Sequence, residues 1–306
     1  MTIKHSKPRF SHTLAAAALL LTCTHGQAGE SAFGWLQTLD LQPKGSWEFE
    51  QKADFTHRQS SGSYNLGLYR SELEYGLSNN IQVSGYINAY AVNANNNYIN
   101  PETCDSTPRC TAGFGVPGNR NPTAAYNHNG VDGGSAELIW RITNPVTSPV
   151  GVGLYIEPTL GHLEDELETR LILQSNFMDD RLIVAVNFLS ELEKEKYDTE
   201  IIRNSMADIL YGISYRFAPS WTAGIEGRRH TDFDGYFYNS HSQTAHFIGP
   251  TLHYAAQNWW VTGTWRHQLS GHCFNDGTAD CWNGYVSDNH GRDQVIVKLG
   301  IPFGTH

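Results

Sequence analysis

The stretch Trp47–Phe55, WEFEQKADF, alternates apolar and polar side chains. Its odd positions are apolar apart from Gln51, and its even positions are all charged. A repeat of two residues is the period of a β-strand, in which successive side chains point to opposite faces. This stretch therefore predicts a strand with one apolar face and one charged face.

Similar alternating segments continue to the end of the chain and predict about twelve strands. Each has roughly the 9–13 residues that a tilted membrane-spanning strand needs. The predicted strands are 46–57, 64–76, 81–92, 134–143, 150–161, 165–176, 181–192, 204–216, 220–230, 243–255, 258–269 and 292–303.

The connections between these strands alternate in length. Short ones are predicted at 76–80, 144–149, 177–180, 217–219 and 256–257, and long polar ones at 93–133, 193–203, 231–242 and 270–291. Short periplasmic turns and long outer loops are typical of a transmembrane antiparallel up-and-down β-barrel. Aromatic residues beside the short turns fit an interfacial girdle: Tyr75, Phe177, Phe217, Trp221, Tyr254, Trp259 and Phe303. The fold class is therefore all-β, a single barrel with both ends in the periplasm.

Residues 1–28 have the pattern of a signal peptide. A basic start with Lys4, Lys7 and Arg9 precedes a short apolar core and small residues at Gly26–Ala28. Lipoprotein processing at Cys23 is an alternative that the preceding Thr22 disfavours. We expect residues 29–44 to form a short periplasmic segment and residues 45–306 to form the barrel domain, without a transmembrane helix.

The chain is acidic, with a formal net charge of −10. Loss of the three basic residues in 1–28 would leave the remainder at −13. An acidic protein does not suit nucleic-acid binding, which depends on basic side chains that meet phosphates. It also disfavours a large anion-selective surface.

Four cysteines follow the predicted signal peptide, in two local pairs. Cys104 and Cys110 lie in one long loop, and Cys273 and Cys281 lie in another. An oxidising compartment favours a disulfide within each pair. Zinc is the alternative, but the spacings do not match a CxxC site. No metal site and no cofactor are predicted.

The polar face of the strands should line the lumen if the apolar face meets lipid. The predicted lumen-lining residues are Glu48, Glu50, Lys52, Arg70, Glu72, Glu74, Glu137, Arg141, Glu157, Glu166, Glu168, Arg170, Glu226 and Arg228. Two interpretations remain open: a salt-bridge lattice that braces a closed barrel, and a water-filled path whose selectivity these charges set. The acidic excess favours cations or neutral solutes.

Catalytic signatures are weak, and no catalytic residue is assigned. His241 and Ser242, with His246, could form part of a hydrolase pair near the outer leaflet. His230, Asp232, Asp234 and His241 could bind a divalent metal. Both patterns are common in solvated loops, so a lipid-modifying enzyme ranks below the other functions.

Four segments carry a family resemblance: Leu41–Glu50 (LQPKGSWEFE), Glu72–Asn80 (ELEYGLSNN), Leu154–Thr159 (LYIEPT) and Lys298–Phe303 (KLGIPF). With these, the chain resembles porin-like, transporter-type outer-membrane barrels of Gram-negative bacteria whose function is uncharacterised. The resemblance implies a barrel in the outer membrane. Its partners would be outer-membrane lipid, lipopolysaccharide, the barrel-assembly machinery and small solutes. The predicted function is a passive small-solute channel, and the alternative is a closed barrel that acts through its outer loops.

Overall fold

A computed structural model describes residues 31–57, 62–98, 113–117, 120–196, 201–274, 281–282, 284–286 and 291–304. Twelve strands close into one antiparallel barrel: β1 (Ser46–His57), β2 (Ser63–Ser78), β3 (Ile81–Asn95), β4 (Tyr126–Thr143), β5 (Gly151–Gly161), β6 (Glu164–Phe177), β7 (Leu182–Glu195), β8 (Ile202–Ala218), β9 (Trp221–Asp234), β10 (Ser240–Ala255), β11 (Trp260–Cys273) and β14 (Asp293–Gly304). Each strand pairs with its neighbours in the chain, and β14 closes the barrel on β1. The predicted fold class and strand number are confirmed.

The two faces of the strands differ as the alternation predicts. In β1, Glu48 is fully buried and Glu50 is 5% exposed, whereas Phe49 between them is 38% exposed. Large exposed apolar side chains continue around the outer surface, among them Leu138, Ile156 and Leu299. Inward polar and outward apolar faces are the pattern of a barrel surrounded by lipid.

The structure has no helix among the described residues that is long and apolar enough to cross a membrane. The barrel has one end with short turns, which we call the turn end, and one end with longer loops, which we call the loop end. The turn end carries the connections 79–80, 144–150, 178–181, 219–220 and 256–259, together with the start of β1 and the end of β14.

Several strands extend further than predicted at the loop end, and β4 and β7 show the reason. β4 begins at Tyr126, eight residues before the predicted start, and pairs with β3 through the glycine- and asparagine-rich stretch 127–134. β7 continues to Glu195, through residues assigned to the loop 193–203. The polar composition of both stretches indicates a loop, but ladder pairing to a neighbouring strand outweighs that local preference.

The loop between β11 and β14 contains a small hairpin of β12 (Cys281–Trp282) and β13 (Tyr285–Val286). A disulfide joins Cys273 to Cys281, with 5.8 Å between their Cα atoms, as predicted. Val286 packs against Ala245 and Phe247. The hairpin is thereby attached to the inner side of the barrel wall. The predicted Cys104–Cys110 pair lies outside the described residues and stays a prediction.

Candidate functional site

Residues 31–42 lie inside the barrel, and we call them the inner segment. Sequence analysis predicts 29–44 as a short periplasmic segment and does not say that part of it occupies the lumen. Phe33 and Leu39 are fully buried, and Leu36 and Leu41 are at most 3% exposed. These four apolar side chains would be exposed to water outside the barrel, and their burial favours the position in the lumen.

Inward side chains of the barrel provide the hydrogen bonds that a neighbouring strand would otherwise supply to the inner segment. The Glu226 carboxylate accepts from three consecutive backbone N–H groups, those of Gly34, Trp35 and Leu36, at 3.1, 3.3 and 3.2 Å. Asn187 accepts from the N–H of Gln37 at 2.8 Å and donates to its carbonyl at 2.9 Å. Buried backbone groups need such partners, so these side chains hold the segment in one path.

Apolar residues that point inwards from the barrel wall form the surface on which the inner segment packs, and we call this surface its seat. Phe33 and Leu36 pack with Ala185, Leu189 and Leu210, and Leu39 and Leu41 pack with Ile139, Tyr155 and Ile172. Two glycines make room for it: a Cβ at Gly212 would lie 2.7 Å from Phe33, and a Cβ at Gly153 would lie 2.4 Å from Leu39. The inner face of the wall therefore fits the segment because it has small and apolar residues at inward positions that are polar elsewhere in the barrel.

A cavity of about 330 Å³ lies on the loop-end side of the inner segment, and we call it the outer cavity. The described charged residues that line it are nine acids and five bases. The acids are Asp54, Glu164, Glu166, Glu168, Glu191, Glu193, Glu195, Asp232 and Asp234, and the bases are Lys52, Arg70, Arg170, Arg228 and Arg266. The lining is thus acidic on balance, like the whole chain.

The charges of the outer cavity are separated across the barrel. Six glutamates are on the neighbouring strands β6 and β7. Lys52 on β1 and Arg266 on β11 stand on the far side, because β7 is six strands from β1 in a ring of twelve, whereas Arg70 on β2 reaches Glu157 on β5. An acidic wall that faces a basic wall creates a field across the lumen.

Several of these charges are nevertheless paired. Arg70 meets Glu157 at 3.1 Å, and Arg170 binds both oxygens of Glu168 at 2.5 and 3.1 Å. Arg228 pairs with Asp208. Ion pairs that hydrogen bonds fix in this way brace the wall, so the salt-bridge interpretation describes part of the lumen correctly.

A second cavity of about 60 Å³, the inner cavity, lies between the inner segment and the wall of β1 to β5. Its lining includes Glu50, Glu72, Glu74 and Glu137. The two cavities share Trp35, Lys52, Arg70 and Arg170 in their linings. They therefore approach each other beside Trp35.

Trp35 is held at this place by three contacts. Its indole N–H donates to Asp54 at 3.1 Å, and its carbonyl accepts from Arg170 at 2.9 Å. The guanidinium of Arg266 stacks over its ring at 3.7 Å. Cation–π and hydrogen-bond contacts of this kind orient an aromatic side chain. Trp35 thus stands between the outer and the inner cavity.

Ten of the fourteen predicted lumen-lining residues contribute to a cavity: Glu50, Lys52, Arg70, Glu72, Glu74, Glu137, Glu166, Glu168, Arg170 and Arg228. The other four are Glu48, which is fully buried, Arg141, which donates to the Leu39 carbonyl at 3.0 Å, Glu157, which pairs with Arg70, and Glu226, which holds the inner segment. A role in transport stays a prediction for all of them.

Sequence reasoning missed the acidic half of β7. Glu191, Glu193 and Glu195 alternate with Leu192 and Lys194, so the period of two continues past the predicted end of the strand. It also missed the seat of the inner segment. The signal was present there too, because the inward-facing positions, which are polar in most strands, are apolar at Ile172, Ala185 and Leu210.

The weak catalytic and metal patterns do not assemble. The ring nitrogens of His230 meet Asp208 at 2.9 Å and Asp232 at 2.7 Å. His241 instead bonds Thr244 at 2.8 Å and stacks on Phe274, and Asp234 accepts from Ser240. The predicted set of four is therefore divided, and His241 contacts Thr244 rather than pairing with Ser242.

Comparison with solved structures finds other proteins with this fold. The COG4313 outer membrane channel from Pseudomonas putida F1 superposes with a TM-score of 0.57 at 9% identity, over 90% of this chain and 100% of that one. The NanC porin superposes with a TM-score of 0.50 at 10% identity, over 83% and 98%. The barrel fold is thus shared with these outer-membrane proteins, and the predicted resemblance is confirmed at the level of the fold.

No curated protein matches the sequence. The model of one protein family matches residues 25–303, which includes the inner segment and all of the barrel except the last residue of β14. The chain belongs to the family of unknown function DUF6662.

Proposed function

We propose that the protein is a passive, porin-like channel for small solutes in the outer membrane of a Gram-negative bacterium, and that it prefers cations and neutral solutes to anions. The observation that carries this proposal is the pair of charged cavities that approach each other beside Trp35. A barrel with only a structural role has no need of charged cavities on both sides of Trp35, because charges there cost free energy unless they are paired or hydrated.

The preference for cations follows from the lining of both cavities. The outer cavity has nine acids and five bases among its described lining residues. In the inner cavity, Glu50, Glu72 and Glu74 bring ligand oxygens within 4.8 Å of one another, and Lys298 meets Glu50 at 3.6 Å. Rings of carboxylates favour cations in a narrow pore. No reaction is part of the proposal, since the candidate catalytic residues do not assemble.

Neutralising two carboxylates of the inner cavity tests the proposed selectivity. We expect the double variant Glu72→Gln, Glu74→Gln to retain conductance in planar bilayers, with a reversal potential in a potassium chloride gradient that moves towards zero. The reason is that removal of two negative charges lowers the local concentration of cations in the path. The matched control is Asp179→Asn, in an exposed turn outside both cavities.

Two results would contradict the proposal. A reversal potential in the double variant equal to that of the unchanged protein would show that these carboxylates do not line the path. Absence of conductance in the unchanged protein, and also in a variant without the inner segment, would favour the alternative of a closed barrel that acts through its outer loops.

Orientation can be tested separately on whole cells. We expect an epitope tag inserted at residues 121–125, in the connection between β3 and β4, to be accessible to antibody from outside. A tag at residues 79–80, in the turn between β2 and β3, should become accessible only after the outer membrane is permeabilised. This expectation rests on long loops facing outwards and short turns facing the periplasm. Labelling of the 79–80 tag in intact cells would reverse the proposed orientation.

A further inference from the structure

Two of the five bases that line the outer cavity have no acidic partner. The other three form ion pairs within the wall: Arg70 with Glu157, Arg170 with Glu168 and Arg228 with Asp208. Among the described residues, Lys52 and Arg266 make no ion pair, although the lining of the cavity is acidic on balance. Unpaired positive charge in the outer cavity is therefore concentrated at these two side chains.

Arg266 is the more unusual of the two, because its side chain lines the cavity and yet is only 2% exposed. Its Nε donates to the side-chain oxygen of Gln294 at 2.5 Å, and its guanidinium stacks over the Trp35 ring at 3.7 Å. No group in the described part of the chain accepts a hydrogen bond from its Nη atoms. A buried charge is costly unless an opposite charge joins it. The guanidinium therefore has donors available for an acceptor that enters from the cavity.

One carboxylate lies near both bases without pairing with either. Asp54 follows Lys52 on the inner face of β1, and only β14 separates β1 from β11, which carries Arg266. Asp54 accepts from the indole N–H of Trp35 at 3.1 Å and has no ion pair within the described ranges. A single negative charge thus stands beside two positive ones, so this side of the cavity is positive.

The opposite side of the same cavity has the other sign. β6 and β7 contribute six glutamates to its lining, and β7 is six strands from β1 in the ring of twelve. The summed charge of a wall acts across a narrow lumen even where single carboxylates are hydrogen-bonded. A solute in the outer cavity therefore has positive charge on one side and negative charge on the other.

We propose that the outer cavity binds zwitterionic solutes with separated charges, such as dipeptides. Their carboxylate would lie at Lys52 and Arg266, and their ammonium group would point towards the glutamates of β6 and β7. A guanidinium suits a carboxylate because its N–H groups can donate to both oxygens. The cavity volume of about 330 Å³ is within the range of about 300–1,000 Å³ that is usual for small-molecule sites. Such a solute brings no net charge into the lumen.

This inference rests on the proposed function where transport is concerned, because it specifies which neutral solutes the channel would favour. Binding in the outer cavity can be measured without any conductance. The site and the channel can therefore fail separately.

Calorimetric titration of glycylglycine into the mature barrel, refolded in detergent, tests the site. Two relatives of this zwitterion are matched probes: glycylglycinamide lacks the carboxylate, and N-acetylglycylglycine lacks the ammonium group. We expect saturable binding of glycylglycine, and binding of both relatives that is weaker by about tenfold or more, because each has lost one charged contact.

Single variants test the two bases. Arg266→Gln and Lys52→Gln should each weaken glycylglycine binding by about tenfold or more, since each removes a charged hydrogen-bond donor. Lys52→Gln changes a less buried side chain, so it keeps the test decisive if Arg266→Gln fails to fold. The matched control is Arg203→Gln, which removes an exposed base outside both cavities and should bind glycylglycine as the unchanged protein does.

Absence of saturable glycylglycine binding in the unchanged protein at high millimolar concentration would overturn the proposal, even if the barrel conducts ions. Equal binding of glycylglycinamide, or equal affinity in a folded variant of Lys52 or Arg266, would also overturn it, because the carboxylate would then lie elsewhere. Equal binding of N-acetylglycylglycine would show a site for anions and not for zwitterions. Selective binding by a barrel that does not conduct would uphold the site and contradict only the proposed channel.

Discussion

A barrel that begins at residue 43, without the inner segment, is expected to conduct several times more current than the complete protein. The inner segment occupies the turn-end half of the lumen and contacts side chains from Gln82 on β3 to Thr262 on β11. Its removal would connect the outer and inner cavities into one wide path. Single-channel recording of both proteins in the same salt measures the change.

The inner segment should not leave the lumen by itself under ordinary conditions. Each of its four buried apolar side chains contributes roughly 1.5–3 kcal/mol by burial, and Glu226 alone accepts three of its backbone hydrogen bonds. A full-length control in which Phe33 and Leu36 become serine keeps the chain length and removes much of this burial. We expect its current to fluctuate between the low level and the level of the shortened barrel.

Equal conductance of the complete and the shortened proteins would contradict this interpretation. It would mean that ions pass by a route that the inner segment does not restrict. Absence of current from a correctly folded shortened barrel would mean instead that the charged wall itself closes the lumen, as the salt-bridge interpretation holds.

Leu299→Arg is expected to prevent or strongly reduce barrel assembly. Leu299 lies in the middle of β14, opposite Gln51 of β1, and its side chain is 39% exposed on the outer face. A charged side chain on the lipid-facing surface near the bilayer midplane costs about 2–4 kcal/mol. That cost corresponds to a change of roughly 30- to 900-fold in the folding equilibrium. Refolding yield in lipid vesicles, followed by heat-modifiable gel mobility, measures the loss.

Two variants serve as controls for the lipid-facing position. Leu299→Ala keeps the site apolar and should refold with a much smaller loss. Lys298→Gln changes the next residue, whose side chain points inwards to Glu50, and should assemble with altered selectivity. If Lys298→Gln impaired assembly as severely as Leu299→Arg, the assignment of the two faces would be incorrect.

The fold could be predicted from the sequence because its signals are local. The alternation in Trp47–Phe55 and its repeats identify strands, and the alternation of short and long connections orders them into an up-and-down barrel. Errors occurred where composition and pairing disagree, as at the start of β4 and the end of β7. In those stretches polar residues and glycines indicate a loop, but hydrogen bonds to an existing strand extend the ladder.

The candidate site could be predicted only in part. The alternation of polar and apolar positions predicts Glu72, Arg170 and Arg228 on the inner face, and all three line a cavity. The alternation of side chains along a strand does not predict which strands lie opposite each other across the lumen. The glutamates of β6 and β7 are separated from Lys52 on β1 only because twelve strands close into a ring.

The sequence by itself determined the number of strands, their two faces and the acidic character of the lumen, because the period of two and the composition are properties of the chain alone. Only the tertiary structure decided where the inner segment lies and which charged side chains meet. The segment hydrogen-bonds Glu226, which is 190 to 192 positions away, and Glu193 meets Glu166 only through strand register. Contacts at such separations exist only after the barrel has closed, and no local pattern in the chain encodes them.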